Sequence, residues 1–108
     1  MSNLFTEEQI EHVSKLFETL GNRTRLKILL MVADSKRPLH IKAVAKSLGM
    51  DYAATYRHVK ALEEAGIVEI YEVGRSRVLS LKNQDRLMDL FLKTIEISQL
   101  DKSSQIEQ

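Results

Sequence analysis

The chain has 108 residues and a formal net charge of +1, which is the size of a single small domain. With 44% hydrophobic and 29% charged residues its composition is that of a globular protein, and its longest apolar stretch, Ile28 to Ala33, is far too short to cross a bilayer. The absence of cysteine excludes disulfides, thiolate metal sites and thiol redox sensing. Since the first residues also lack the pattern of a secretory signal, we expect a cytoplasmic protein without a membrane partner.

Charge is distributed unevenly along the sequence. Residues 36–82 contain nine Lys and Arg against five acids, a net charge of +4. Residues 1–35 contain four bases and five acids, and residues 83–108 contain three bases and five acids, so the two ends carry −1 and −2. A basic middle between acidic ends indicates one face that binds a polyanion.

Two helices are predicted in the first third of the chain. Thr6 to Gln9 has the pattern of a capping box that begins the first helix, and Gly21 ends it. The apolar residues of this helix recur at the helical period on one face: Ile10, Val13, Leu16, Phe17 and Leu20. Asn22 is a good N-cap for a second helix over residues 23–33, which is too apolar for the surface and is therefore expected at the centre of the core.

Two further helices are predicted over residues 41–48 and 52–65. Gly49 ends the first of them and Asp51 caps the second. Two short helices joined by a turn of about four residues that contains glycine are the helix-turn-helix pattern.

A β-hairpin is predicted directly after these helices. Residues 67–73 and 78–82 are rich in β-branched side chains and flank the tip Gly74-Arg75-Ser76-Arg77. With a last helix over residues 84–100, the order is α-α-α-α-β-β-α, with a very short extra strand near Pro38. The sequence therefore predicts a mainly α fold with a small β-hairpin, a winged helix-turn-helix. We expect this domain to span residues 1–100 and residues 101–108 to form a disordered tail.

The helix over residues 52–65 divides into a buried stripe and an exposed arc. Thr55, Val59 and Leu62 lie on the stripe and His58 at its edge, whereas the opposite arc is basic and aromatic. Such a helix can enter the major groove of DNA, where arginine pairs with guanine and tyrosine can contact a thymine methyl group or a phosphate. The alternative is a solvated helix face with scattered charges.

The two arginines of the hairpin tip are suited to bind phosphates or to reach into the minor groove. The alternative is that a hairpin tip needs polar residues and that arginine is one choice among several. Together with the helix, the tip completes a set of candidate DNA-binding residues: Tyr52, Ala53, Tyr56, Arg57, Lys60, Arg75 and Arg77.

The last helix, which Asn83 is expected to cap, predicts a dimer. Its apolar residues cover an arc of about 220°, roughly twice what one core-facing stripe needs. They are Leu87, Met88, Leu90, Phe91, Leu92, Ile95 and Ile97. A domain this small cannot enclose such a helix, so part of the arc needs a partner. The expected dimer interface lies on the first and last helices and comprises Ile10, Val13, Phe17, Leu87, Phe91 and Ile95.

Two parts of the sequence resemble a known family. Residues 16–29, LFETLGNRTRLKIL, resemble the opening motif of the ArsR-type regulators, the arsenic- and metal-sensing repressors. Residues 44–49 and 56–68 resemble the helix-turn-helix of that family. The resemblance covers about residues 10–95 and is specific as a set, although single pieces recur in other winged-helix regulators such as the MarR type. It implies a homodimer that represses transcription and releases DNA when a ligand binds.

The sequence departs from the metal sensors of this family. Where they carry Cys-x-Cys, this chain has His40 and Lys42, and a protonated lysine repels a cation and has no free lone pair. The alternative family site requires histidine beside carboxylates on the last helix, and this helix offers the carboxylates alone: Asp85, Asp89 and Glu96. The three histidines of the chain show no ligand spacing. We therefore expect no metal site and no cofactor, and no particular effector is predicted.

No catalytic constellation is visible in the sequence, which favours a regulator over an enzyme. The predicted function is that of a dimeric, sequence-specific DNA-binding repressor, with residues 52–65 in the major groove and the wing over residues 67–82 on the backbone or minor groove. Two alternatives remain. One is a winged-helix module for protein interaction, which needs neither a basic recognition face nor an Arg-tipped wing. The other is an architectural protein that coats DNA with little sequence preference.

Overall fold

The computed structural model describes residues 4–99, so Leu100 and the predicted tail over residues 101–108 lie outside the described part. Within it the chain forms α1 (Glu7–Leu20), α2 (Arg23–Ser35), β1 (Leu39–His40), α3 (Ile41–Leu48), α4 (Tyr52–Glu64), β2 (Val68–Val73), β3 (Ser76–Leu81) and α5 (Gln84–Ser98). The three strands form one antiparallel sheet in the order β1-β3-β2. This is the predicted winged helix-turn-helix, and the short strand near Pro38 is β1. None of the described helices is long and apolar enough to cross a membrane.

Side-chain caps determine where three of the helices begin. The Gln9 N–H donates to Thr6 Oγ1 at 3.1 Å and the Thr6 N–H donates to Gln9 Oε1 at 2.9 Å, so the predicted capping box is confirmed. Asn22 and Asp51 cap α2 and α4, each accepting from the N–H three residues further on, at 3.0 and 2.7 Å. These caps satisfy backbone donors that a helix cannot pair internally.

The start of α5 differs from the prediction. Asn83 precedes the helix, but its side chain makes no capping hydrogen bond, and its backbone is left-handed with φ 51° and ψ 47°. Asparagine adopts this region more readily than most residues. Asn83 therefore allows the sharp turn from β3 into α5, and the predicted cap is wrong.

The turn of the wing is tighter than predicted. Val73 pairs with Ser76, so the turn consists of Gly74 and Arg75 alone. Gly74 has a φ of +62°, as the first residue of a two-residue hairpin turn commonly requires. Arg77 consequently lies inside β3 rather than at the tip, and this position determines what its side chain contacts.

The core lies between α2, α3, α4 and the sheet. Its fully buried side chains are Ile28, Leu29, Ile41, Val44, Thr55, Val59, Leu62, Val68 and Leu79. The prediction that α2 lies at the centre is confirmed for one of its faces, whereas Leu30 on another face is 50% exposed. Because α4 packs on both α2 and β2, the core holds it at a fixed position beside the wing.

Candidate nucleic-acid interface

The buried stripe of α4 is as predicted: Thr55, Val59 and Leu62 are fully enclosed. The Thr55 hydroxyl donates to the Asp51 carbonyl at 2.9 Å, which satisfies the one polar group on the stripe. On the outer arc Tyr52, Ala53 and Arg57 are exposed, and Tyr56 and Lys60 are half-buried. α4 therefore presents an aromatic and basic surface outward.

Aromatic rings of α4 and an arginine of the wing form a stack, hereafter the Tyr52–Tyr56–Arg77 stack. The two tyrosine rings, one helical turn apart, have centroids 6.0 Å apart and planes 9° apart. The guanidinium carbon of Arg77 lies 4.9 Å from the centre of the Tyr56 ring, within the range of a cation–π interaction. Candidate residues predicted separately on the helix and on the wing thus meet in one surface.

The guanidinium of Arg77 has further partners. Hydrogen bonding to Tyr52, and then the charge of Tyr56, raise the pKa of Arg77 above its ordinary value, so the group stays protonated. Its Nε lies 3.9 Å from a carboxylate oxygen of Glu72, the residue paired with it across the hairpin. The guanidinium of Arg77 therefore contacts side chains of its own chain in the absence of DNA.

Lys60 also forms an ion pair, with Glu63, which is not among the predicted DNA-binding residues. Its Nζ donates to Glu63 Oε1 at 2.8 Å, an ion pair between neighbouring turns of α4. This hydrogen bond, and then the charge of Glu63, raise the pKa of Lys60. The i, i+3 spacing of the two residues could have predicted the pair. By contrast, Arg57 and Arg75 are exposed and take part in no ion pair within residues 4–99.

His58 connects α4 to the junction of α1 and α2. Arg25 Nε donates to His58 Nδ1 at 3.3 Å, and Arg25 Nη1 donates to the Thr19 carbonyl at 3.1 Å. Burial, followed by the positive charges of Arg25 and Arg57, lowers the pKa of His58, which keeps the imidazole neutral and able to accept. This contact agrees with the predicted position of His58 at the edge of the buried stripe, whereas the sequence does not predict the bridge through Arg25, because it joins residues far apart in the chain.

A second exposed surface is apolar and lies between α1, α2 and α5. Its side chains line a groove of about 590 Å³, here called the apolar groove: Phe17, Leu20, Leu26, Leu30, Leu90, Phe91, Ile95 and Ile97. Of the predicted interface residues, Ile10, Val13, Phe17 and Ile95 are between 46% and 56% exposed, and Phe91 is half-buried. Leu87 instead belongs to the chain's own core and offers little surface to a partner. The single chain thus leaves much of α5 uncovered.

The predicted absence of a metal site can be compared with the side-chain positions. In the described part of the chain no three His, Cys, Asp or Glu residues lie close enough together to hold a metal ion. His40 and Lys42 are both exposed. On α5, Asp89 accepts from Lys93 Nζ at 3.2 Å.

Comparison with known sequences adds a domain family and a relative. A family described as a helix-turn-helix domain matches residues 20–71. A segment of 57 residues is 39% identical to an uncharacterised helix-turn-helix-type transcriptional regulator of Methanocaldococcus jannaschii. The match covers 53% of this chain and 58% of that relative, which is a little over half its length.

Solved structures share the fold over almost the whole chain. A homodimeric winged helix-turn-helix DNA-binding domain from Mycobacterium bovis, described as a possible ArsR-family transcriptional regulator, superposes with a TM-score of 0.74 at 21% identity over 92% of each chain. NolR from Sinorhizobium fredii gives 0.73 at 23% identity, over 90% of this chain and 96% of its own. An ArsR-like transcriptional regulator from Rhodococcus gives 0.63 at 22% identity, over 94% of each chain. At these identities the likeness establishes the fold.

Proposed function

Because the chain carries a helix-turn-helix domain within the winged-helix fold of ArsR-type regulators, we propose that it is a cytoplasmic, homodimeric transcriptional regulator that binds specific DNA sequences and acts as a repressor. One observation carries the proposal: the exposed arc of α4 and the basic wing form one continuous surface, joined by the contact of Tyr56 with Arg77. A protein-interaction module has no need of such a surface.

In the proposed complex α4 lies in the major groove, which at about 12 Å is wide enough to admit an α-helix. The N-terminal half of α4, from Tyr52 to Arg57, then faces the base edges. Arg57 is exposed and free of ion pairs within residues 4–99, so its planar fork is available to pair with guanine. Arg75, at the exposed turn of the wing, reaches the phosphate backbone.

The proposed partner on the apolar groove is a second copy of the chain. Phe17 and Ile95 are about half exposed there, although a small domain rarely leaves a contiguous apolar surface of this kind in water. The Mycobacterium bovis domain, which shares the fold, is described as homodimeric. A twofold dimer presents α4 twice, so the operator should be a pseudo-palindrome with half-site centres about one helical turn, ~34 Å, apart.

The test is selection of bound duplexes from a random library, followed by affinity measurements on the selected operator and a scrambled duplex at several salt concentrations. We expect the operator to bind at least about 10³-fold more tightly, and the logarithm of the affinity to fall linearly with the logarithm of the salt concentration. Equal affinity for every duplex would identify the architectural alternative. No affinity for any duplex would identify the protein-interaction module.

A further inference from the structure

We propose that Arg77 is a positioning residue that holds Tyr52 and Tyr56 as a flat aromatic surface against thymine methyl groups in the major groove, and so determines sequence preference rather than supplying a general phosphate contact. The inference rests on the proposed function, because it assigns a DNA feature to the same surface. Three observations carry it: the partners of Arg77, the order of the tyrosine rings, and the chemistry of the exposed face of α4.

The partners of Arg77 distinguish it from the other arginine of the wing. Its guanidinium carbon lies 4.9 Å from the centre of the Tyr56 ring and its Nε lies 3.9 Å from a carboxylate oxygen of Glu72, so groups of the protein itself contact it on two sides. Arg75 lies in the exposed turn and takes part in no ion pair within residues 4–99. The Arg77 side chain is 44% exposed and already contacts Tyr56 and Glu72, so a phosphate would compete with these groups for it, whereas no ion pair within residues 4–99 competes for Arg75. The two arginines therefore have different roles.

The tyrosine rings pack against each other in the free protein. Exposed tyrosines on an isolated helix sample several rotamers, and fixing them on binding costs conformational entropy. Here the rings are parallel to within 9°, and Arg77 covers one of them from the wing. Tyr52 nevertheless remains 39% exposed, so the stack keeps an open edge for a ligand. A packed aromatic surface with an open edge is suited to contact a rigid partner.

The exposed face of α4 identifies the chemistry of that partner. α4 contains no asparagine or glutamine, the side chains that pair with adenine in the major groove. Beside Arg57, its exposed N-terminal half offers Tyr52, Ala53 and the half-buried Tyr56, all with apolar surface. The apolar group that the major groove displays is the 5-methyl of thymine. The stack should therefore recognise thymine by its methyl group.

The experiment removes that methyl group and nothing else. Starting from the selected operator, each thymine is replaced in turn by deoxyuridine, and affinities are measured for wild type, Arg77→Lys, Arg77→Ala and the matched control Arg75→Ala. Wild type should lose about fourfold in affinity for each contacted methyl group, the factor that corresponds to burying one such group. Arg77→Lys keeps the positive charge but not the planar stacking group, and should bind thymine and uracil duplexes equally. Arg75→Ala should weaken both duplexes and keep the wild-type ratio.

A measurement on the free protein tests the stack without DNA. The chain has three tyrosines and no tryptophan, so the aromatic NMR signals of Tyr56 are readily assigned. Arg77→Lys should shift the Tyr56 ring signals, whereas Arg75→Ala should leave them in place. Unchanged Tyr56 signals in Arg77→Lys overturn the inference, as does a wild type that is indifferent to uracil or an Arg77→Lys variant that keeps the wild-type thymine preference. A wild type without any sequence preference is a different outcome, because the proposed function itself then fails.

Discussion

The two cations on the outer arc of α4, Arg57 and Lys60, differ in whether they form an ion pair. Glu63 binds Lys60, whereas Arg57 is exposed and free of ion pairs within residues 4–99. We therefore expect Arg57→Ala to weaken operator binding by about 1–3 kcal/mol and to relax the preference at one position of each half-site. Affinities for operator and scrambled duplex decide this. An equal loss on both would make Arg57 a phosphate contact instead.

Arg75 should contribute to affinity without contributing to sequence preference. In the proposed complex, its exposed position at the turn of the wing should bring its charge close to the DNA backbone, which is the same for every sequence. Arg75→Ala should weaken specific and scrambled duplexes alike and reduce the slope of log affinity against log salt by about one for each lost contact. Arg75→Lys, which keeps the charge, serves as the control and should restore the slope. A selective loss on the operator would contradict this role.

His58 should make the folded state sensitive to acid. Burial and two nearby arginines lower its pKa in the folded protein below the ordinary value of 6.5, so the unfolded chain binds the proton more readily. The free energy of unfolding therefore falls as pH drops from about 7 through 6.5 towards the lower folded-state pKa, and the loss is complete below it. Protonated His58 also cannot accept from Arg25 Nε.

The measurement is denaturant unfolding between about pH 7 and pH 5. His58→Asn, which keeps a hydrogen-bond acceptor but does not titrate there, should show a smaller decline with acid than wild type. Since every other titrating group is common to both proteins, the difference between the two curves isolates His58. Parallel curves would mean that His58 titrates with the same pKa in both states.

At the scale of the elements, the start of α4 depends on one carboxylate. Asp51 Oδ1 accepts from the Ala54 N–H at 2.7 Å, and loss of such a cap costs about 1 kcal/mol. We expect Asp51→Ala to lower the free energy of unfolding by that amount and to weaken operator binding, because Tyr52 lies in the first turn, which then frays. Asp51→Asn retains the cap and should behave almost as wild type. Equal stability of the two variants would show that the cap contributes nothing.

Signals that lie within a few residues of one another predicted the elements well. Thr6, Asn22 and Asp51 cap the helices expected of them, because each cap needs only its own side chain and the next turn. The turn of the wing was predicted too long because strand register depends on the opposite strand, which placed Arg77 within β3. The sequence predicted a cap at Asn83 because asparagine is common both at helix caps and in left-handed turns, and the residue type alone does not distinguish the two.

The candidate site was less predictable than the elements. A helical wheel correctly placed Tyr56 and Arg57 on the outer arc of α4, but the contact of Tyr56 with Arg77 joins distant parts of the sequence and has no local pattern. The wheel of α5 showed too wide an apolar arc for one chain, yet it could not decide which part faces the chain's own core. Leu87 was for that reason expected at the dimer interface, although it is buried within the chain.

At the scale of the whole molecule, a helix-turn-helix domain over residues 20–71 is confirmed, and solved structures described as ArsR-type regulators share the fold of the chain. That resemblance implies a dimer, and the apolar groove provides a surface to test it. Ile95 is 49% exposed in the single chain, so an aspartate there is hydrated in a monomer but buried in a dimer. Phe91 is half-buried, and its replacement would disturb the fold as well.

We expect wild type to scatter light as a dimer at micromolar concentration and Ile95→Asp to give a folded monomer with greatly weakened operator binding. Glu96→Lys, at the neighbouring exposed position of α5, changes a surface charge by two units outside the apolar groove and should remain a dimer. Circular dichroism establishes that both variants are helical. A monodisperse wild-type monomer would contradict the proposed assembly.

The contacts of Arg25 have a consequence for how much variation in half-site spacing the proposed dimer tolerates in its operator. Arg25 joins the carbonyl of Thr19, at the end of α1, to the imidazole of His58 on α4, so two hydrogen bonds connect these helices. In the proposed dimer, a tilt of α1 relative to α1 of the second copy would be passed through this connection to α4 in each copy. The distance between the two α4 helices would then change by the sum of both displacements. In the proposed complex the tolerance for half-site spacing should therefore depend on the stiffness of α1, which lies outside the proposed DNA-binding surface.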